Sequence, residues 1–168
     1  MFRSVASLIG LVVLPVLVLG AGEPGEKSIR EGDLESRVDA LASIQPGLGV
    51  VMHEIGYRFA ALYWAAKGGN WGLAQYQLKE LGEAQEVAEV TRPRRREMLK
   101  AFEGSYLAPL RKAIEAQDGD AFGKRFLQAQ QGCNACHTAL GYGFIQVHVP
   151  ESPVPGILDY SLKSEPRN

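Results

Sequence analysis

Cysteine is scarce here: two in 168 residues, and both lie within four positions, Cys133 and Cys136. A framework of several disulfides is thereby excluded. Histidine is nearly as scarce, with only His53, His137 and His148. A closed structural zinc site takes four ligands, so it would have to draw on the remote His53 or His148. There is no excess of positive charge, the formal net charge being −1. Nucleic-acid binding usually leaves a basic footprint, so no nucleic-acid partner is expected. No nucleophile–base or paired-acid constellation is visible, which argues against an enzyme. Aromatic residues make up only 8% of the chain, yet Tyr57, Phe59, Tyr63, Trp64 and Trp71 share one short window.

Long hydrophobic runs are also lacking, with one exception. Leu8 to Leu19 is apolar except for Gly10 and Pro15, lies after Arg3 and precedes Gly20, Ala21 and Gly22. Positive start, apolar middle and small-residue end are the order of a secretory signal. The run falls short of the roughly 20 residues a span needs. Residues 1–21 are therefore expected to be a signal peptide, cleaved after Gly20 or Ala21, leaving no transmembrane anchor in the mature chain. Loss of Arg3 would take the formal charge from −1 to −2.

Beyond residue 21 the pattern is helical. Residues 22–45 begin as a Gly- and Glu-rich flexible segment, with a short helix from Leu34 capped by Asp33. Gln45-Pro46-Gly47 stops it. Met52, Ile55, Phe59, Leu62 and Ala66 then step by three and four, the stripe of an amphipathic helix over about 47–67. Gly68-Gly69 ends it and Asn70 caps the next, about 70–90, which carries Trp71, Ala74, Leu78, Leu81 and Ala88. A third helix holds Met98, Leu99 and Phe102, then Leu110, Ala113 and Ile114. Gly104 and Pro109 predict a break near 103–107. Asp118-Gly119-Asp120 restarts the chain into a fourth helix through Phe122, Phe126, Ala129 and Cys133, ended by Gly141 and Gly143. Residues 144–168 contain four prolines and form an irregular tail. Short connections between amphipathic helices favour antiparallel neighbours. The expected fold is all-α: an antiparallel four-helix bundle over 46–143 with an irregular Pro-rich C-terminal tail.

The stretch QQGCNACHTALGYGF, Gln130 to Phe144, sits at the end of that fourth helix. Three chemistries use two cysteines at this spacing. A thioredoxin-like redox pair needs a βαβ context that is not present. A lone structural disulfide here would close a tiny loop, and small loops stabilise least. The third, C-x-x-C-H, is the attachment signature of c-type haem. Two thiols one helical turn apart match the two vinyl groups on a porphyrin edge, and the next residue, His137, reaches the iron. Covalent attachment also keeps a haem in a chain that is exported.

CNACH on the last of four helices resembles the four-helix-bundle cytochromes, the cytochrome c-prime group and its low-spin relatives. PGLGVVMHEIGYRFAALYWAAKGGNWGLAQYQLKELGEA and AIEAQDGDAFGKRFLQAQQGCNACHTALGYGF also look like a set of bacterial periplasmic monohaem proteins. The likeness covers about residues 46–149. One departure from cytochrome c-prime is the tail: 31 residues come after His137. The resemblance implies one covalent haem c with its iron, a periplasmic location, redox protein partners, and leaves a homodimer open. The low-spin relatives take a methionine from the first helix as second axial ligand, and Met52 matches that position. His53 and His148 are competing ligands, Met98 is a core position, and an open iron is the remaining alternative. Phe59 and Phe126, on the stripes of Met52 and Cys133, are expected to line the porphyrin, with Tyr142 and Phe144 over its edge. Arg92, Arg94, Arg95 and Arg96 read as a solvated turn that complements a helix dipole, or as a propionate partner or docking patch.

Three functions are therefore expected. The first is a one-electron carrier with His137 and Met52 as axial ligands, a pairing that raises the potential. The second is a gas-binding protein with an open distal site. The third is a haem-bearing interaction subunit docked to a larger enzyme through its tail.

Overall fold

The computed structural model describes residues 28–149, 151–153 and 158–166. The expected signal peptide, residues 1–21, lies outside the described residues. The chain divides into two compact units between Ile44 and Gln45.

In the first unit, α1 spans Leu34–Ser43. Asp33 caps it, its carboxylate accepting the Ser36 backbone N–H at 2.7 Å. That bond holds the Asp33 carboxyl below its ordinary pKa.

The second unit is all-helical among its described residues: α2 (Leu48–Gly68), α3 (Trp71–Thr91), a 3₁₀ turn (Pro93–Arg95), α4 (Arg96–Phe102), a π-helical segment (Glu103–Leu107), α5 (Ala108–Glu115) and α6 (Gly119–Ala139). Gly69, at φ 74°, ends α2 in the left-handed region that glycine tolerates. The Asn70 N–H returns to the Ala65 carbonyl at 2.8 Å, and the Asn70 side chain accepts from the Leu73 N–H at 3.1 Å. The corner is thus closed on both sides. Arg58 meets Gln77 and Val51 meets Ala88, so α3 runs back along α2. Fully buried alanines, Ala65 on α2 and Ala74 on α3, leave room for that approach.

The main core lies between α2, α3, α5 and α6. Phe59 stacks on Phe126 with centroids 4.1 Å apart, and Phe122 leans on Phe126 at 5.7 Å. Leu62, Leu78, Leu110 and Ile114 fill the space around them. Both phenylalanines picked from the stripes are therefore buried, and they touch each other. A second, smaller cluster brings together the start of α2, the end of α3 and the start of α4: Val51, Ala88 and Leu99, with Met52 and Ile55 packed against them.

The α-helix is interrupted at the expected place, residues 103–107, which divide it into α4 and α5; the interruption is a π-helical segment, so the chain does not leave the helix there. Pro109 supplies no N–H, and in an α-helix its ring would crowd the carbonyl four residues earlier. A π turn moves that carbonyl aside without ending the helix. Pro109 then sits in the first turn of α5, where its missing N–H costs nothing.

The glutamates of α3 differ in surroundings: Glu83 and Glu86 are exposed, whereas Glu89 is buried. It lies four residues beyond the buried Gln85, so it turns to the same side as Gln85, whose amide donates to the Leu99 carbonyl of α4. Only 7% of Glu89 is exposed, and its Oε1 has no hydrogen-bond partner.

The described part of the tail is irregular. It is pinned in two places. Residues 145–147 lie against α6, and residues 159–165 lie against the α2–α3 corner and Gln117.

Candidate functional site

Helix α6 carries the whole motif in its last two turns. Asp118 starts the helix by accepting the Ala121 N–H at 2.9 Å. Gly132, just before the motif, faces the ring of Tyr106 from the π-helical segment. A Cβ at 132 would meet that ring at 2.6 to 2.9 Å. Glycine is therefore what lets the helix lie under the ring here.

Cys133 and Cys136 are both free thiols, one helical turn apart, and His137 comes four residues after Cys133. Burial pushes the Cys133 thiol up to about 12. Burial also raises Cys136, against the opposing pull of the Arg95 guanidinium. Both are protonated at neutral pH. Disulfide exchange uses the thiolate, so these thiols are poorly poised for it. Among the described residues no three His, Cys, Asp or Glu side chains converge as a metal cluster. His53 is exposed on α2, and His148 is exposed in the tail.

The His137 ring is held. Its Nδ1 lies 3.0 Å from the Ile145 carbonyl oxygen. A carbonyl only accepts, so Nδ1 carries the hydrogen. Nε2 then keeps its lone pair, and no hydrogen bond engages it among the described residues. This is the tautomer in which an imidazole binds a metal through Nε2.

Met98 comes to the motif unexpectedly. The Cys136 thiol donates to the Met98 sulfur at 3.1 Å. Its neighbour Leu99 packs into the small cluster that holds Met52. Met52 and the motif therefore occupy the same end of the bundle, linked by two consecutive residues of α4. Met52 itself is half-buried. Tyr142 and Phe144, just past α6, meet edge to face at 6.1 Å and are both exposed, Phe144 at 80%.

The arginine turn divides its labour. Arg92 donates to the carbonyls of Thr91 and Pro46, and Arg96 to that of Glu89, so both cover the end of α3. Arg95 is the one whose charge reaches Cys136.

A groove of about 880 Å³ lies elsewhere, between tail residues 158–165 and Tyr76, Lys79, Arg111 and Glu115 of α3 and α5. Several charged groups there already have partners: Lys79 with Glu83, Glu165 with Gln117, Asp159 with Ser161. Among the described residues no metal-ligating cluster gathers in it.

Ile145, Val147, Asn134, Gln130 and Met98 all touch the motif or its supports, and sequence patterns single out none of them for that role. Three act wholly or partly through backbone or thioether atoms, which leave no residue signature. Comparison with family models, with curated proteins and with solved structures returned no match.

Proposed function

We propose that this chain is an exported, periplasmic c-type cytochrome that carries single electrons between redox protein partners. The observation that carries the reading is the end of α6: two free, neutral thiols one turn apart, followed by a histidine whose Nδ1–H is committed to the Ile145 carbonyl. That donor set has the chemistry a covalently attached haem requires. Cys133 and Cys136 would tether it by thioethers, and His137 would ligate through Nε2. Haem, when bound, supplies the Fe(III)/Fe(II) couple.

The chain's own part is to hold, orient and dry the site. The Ile145 carbonyl fixes the imidazole plane and raises the basicity of Nε2. The Phe59–Phe126 stack forms an apolar wall in the main core. Met52, at the same end of the bundle as the motif, is the proposed second axial ligand. A histidine–methionine pair retained in both oxidation states leaves little to rearrange on transfer and raises the potential.

A second reading has its own support. Met52 packs in the small cluster with Val51, Ala88 and Leu99, as a core methionine would. In that case the distal side stays open and the protein binds a diatomic gas.

One experiment divides the two. Absorption spectra of purified wild type and Met52→Ala are recorded oxidised and reduced. A low-spin spectrum with a methionine–iron charge-transfer band, lost in the variant, is the expected result. A high-spin wild-type spectrum that binds carbon monoxide and ignores the substitution moves the assignment to gas binding. Absence of covalent haem sinks both.

A further inference from the structure

Three residues of α6 share one stripe: Gln130, Asn134 and His137, at i, i+4 and i+7. The tail lies along that stripe. The Asn134 amide treats Val147 as a neighbouring strand would. Its Nδ2 donates to the Val147 carbonyl at 3.0 Å, and its Oδ1 accepts the Val147 N–H at 2.7 Å. Gln130 Nε2 adds a second donor to the same carbonyl at 2.8 Å. Two residues back along the tail is Ile145, whose carbonyl receives His137 Nδ1–H.

The other side of Ile145 is held as well. Its N–H donates to the Tyr142 carbonyl at 2.8 Å, and the Tyr142 N–H donates to the His137 carbonyl at 2.8 Å. The Ile145 carbonyl therefore hangs between two anchors, one built by the helix end and one by Asn134.

We propose that Asn134 is a positioning residue that sets the reduction potential of a haem ligated by His137, by clamping Val147 and so fixing the carbonyl to which His137 donates. This rests on the cytochrome reading above. A firm Nδ1–H donation makes Nε2 more basic, and a more basic ligand favours the ferric state. Releasing the clamp weakens the donation and raises the potential.

The test is potentiometric titration of the haem-loaded protein, wild type against Asn134→Ala, Gln130→Ala and Lys124→Ala, with a melting curve for each. Asn134→Ala loses both clamp bonds, and Gln130→Ala loses one of two bonds to the Val147 carbonyl. Lys124 is exposed on α6, outside the motif, and serves as control. A tenfold fall in the preference of the site for ferric over ferrous iron is a rise of about 59 mV for one electron. The expected order is Asn134→Ala largest, Gln130→Ala smaller with the same sign, and Lys124→Ala indistinguishable from wild type. A purely structural role would lower the melting temperature and leave the potential in place, and that result overturns the proposal. If Asn134→Ala fails to fold, Gln130→Ala decides by the same criterion. A wild type without covalent haem overturns the cytochrome reading and this proposal together. A wild type with haem and an unmoved potential overturns this one alone.

Discussion

Cys133 and Cys136 are close in sequence but not equal in surroundings. Cys133 is the more buried, and its thiol is raised from 9.0 to about 12. That direction sets the sign of the stability effect. Below pH 9 both the folded and the unfolded chain hold the proton. Between 9 and about 12 the unfolded chain loses it first, so stability falls as pH rises through this window. For the haem-free protein, the drop in urea midpoint between about pH 8 and about pH 10.5 should be smaller in Cys133→Ala than in wild type. Equal drops would show that Cys133 is not desolvated. The residues of the motif are legible in the sequence because their meaning lies in side-chain identity and spacing. The Ile145 carbonyl is not, since every residue has one. Met98 reads as core because a methionine in a helix stripe usually is. Its contact with Cys136 depends on how α4 meets α6, which no local pattern encodes.

At the scale of elements, α1 to α3 and α6 stand close to where period and caps put them, because aspartate, asparagine and glycine mark their ends with definite backbone demands. The segment between α4 and α5 departs from its pattern. Gly104 and Pro109 are breakers on average, and only the surrounding packing decides that the helix widens instead. That widening places Tyr106 over Gly132, which makes the contact between the π-helical segment and α6 testable. Gly132→Ala gains about 1 kcal/mol in helix propensity but drives a methyl into an aromatic ring. Overpacking costs about 1–3 kcal/mol, so after the propensity gain the expected net effect is a loss of up to about 2 kcal/mol by denaturant titration. Most of it should disappear in a Tyr106→Ala background, where the obstruction is gone. Additive losses would mean that the ring is not what excludes the methyl.

At the scale of the molecule, the tail is tied down twice, and the two ties do different things. The first holds His137. The second holds the α2–α3 corner: Asn70 Nδ2 donates to the Asp159 carbonyl at 3.0 Å, and the Gly72 N–H to the Ser164 carbonyl at 3.1 Å. Tyr160 passes so close to Gly68 that a Cβ there would strike its carbonyl. A chain ending at Val149 keeps the first tie and loses the second. It should lose about 1–3 kcal/mol, seen as a melting temperature lowered by several degrees; on the cytochrome proposal the absorption spectrum of the haem-loaded chain stays unchanged. A changed spectrum would show that the two ties act as one. The double tether also orders events in time. A chain leaves the ribosome N-terminus first. Cys133, Cys136 and His137 therefore emerge while the eight residues that lead to Ile145 are still to come. For that interval α6 can form with its two thiols presented and its imidazole free to turn. The ring is locked only when Ile145 arrives.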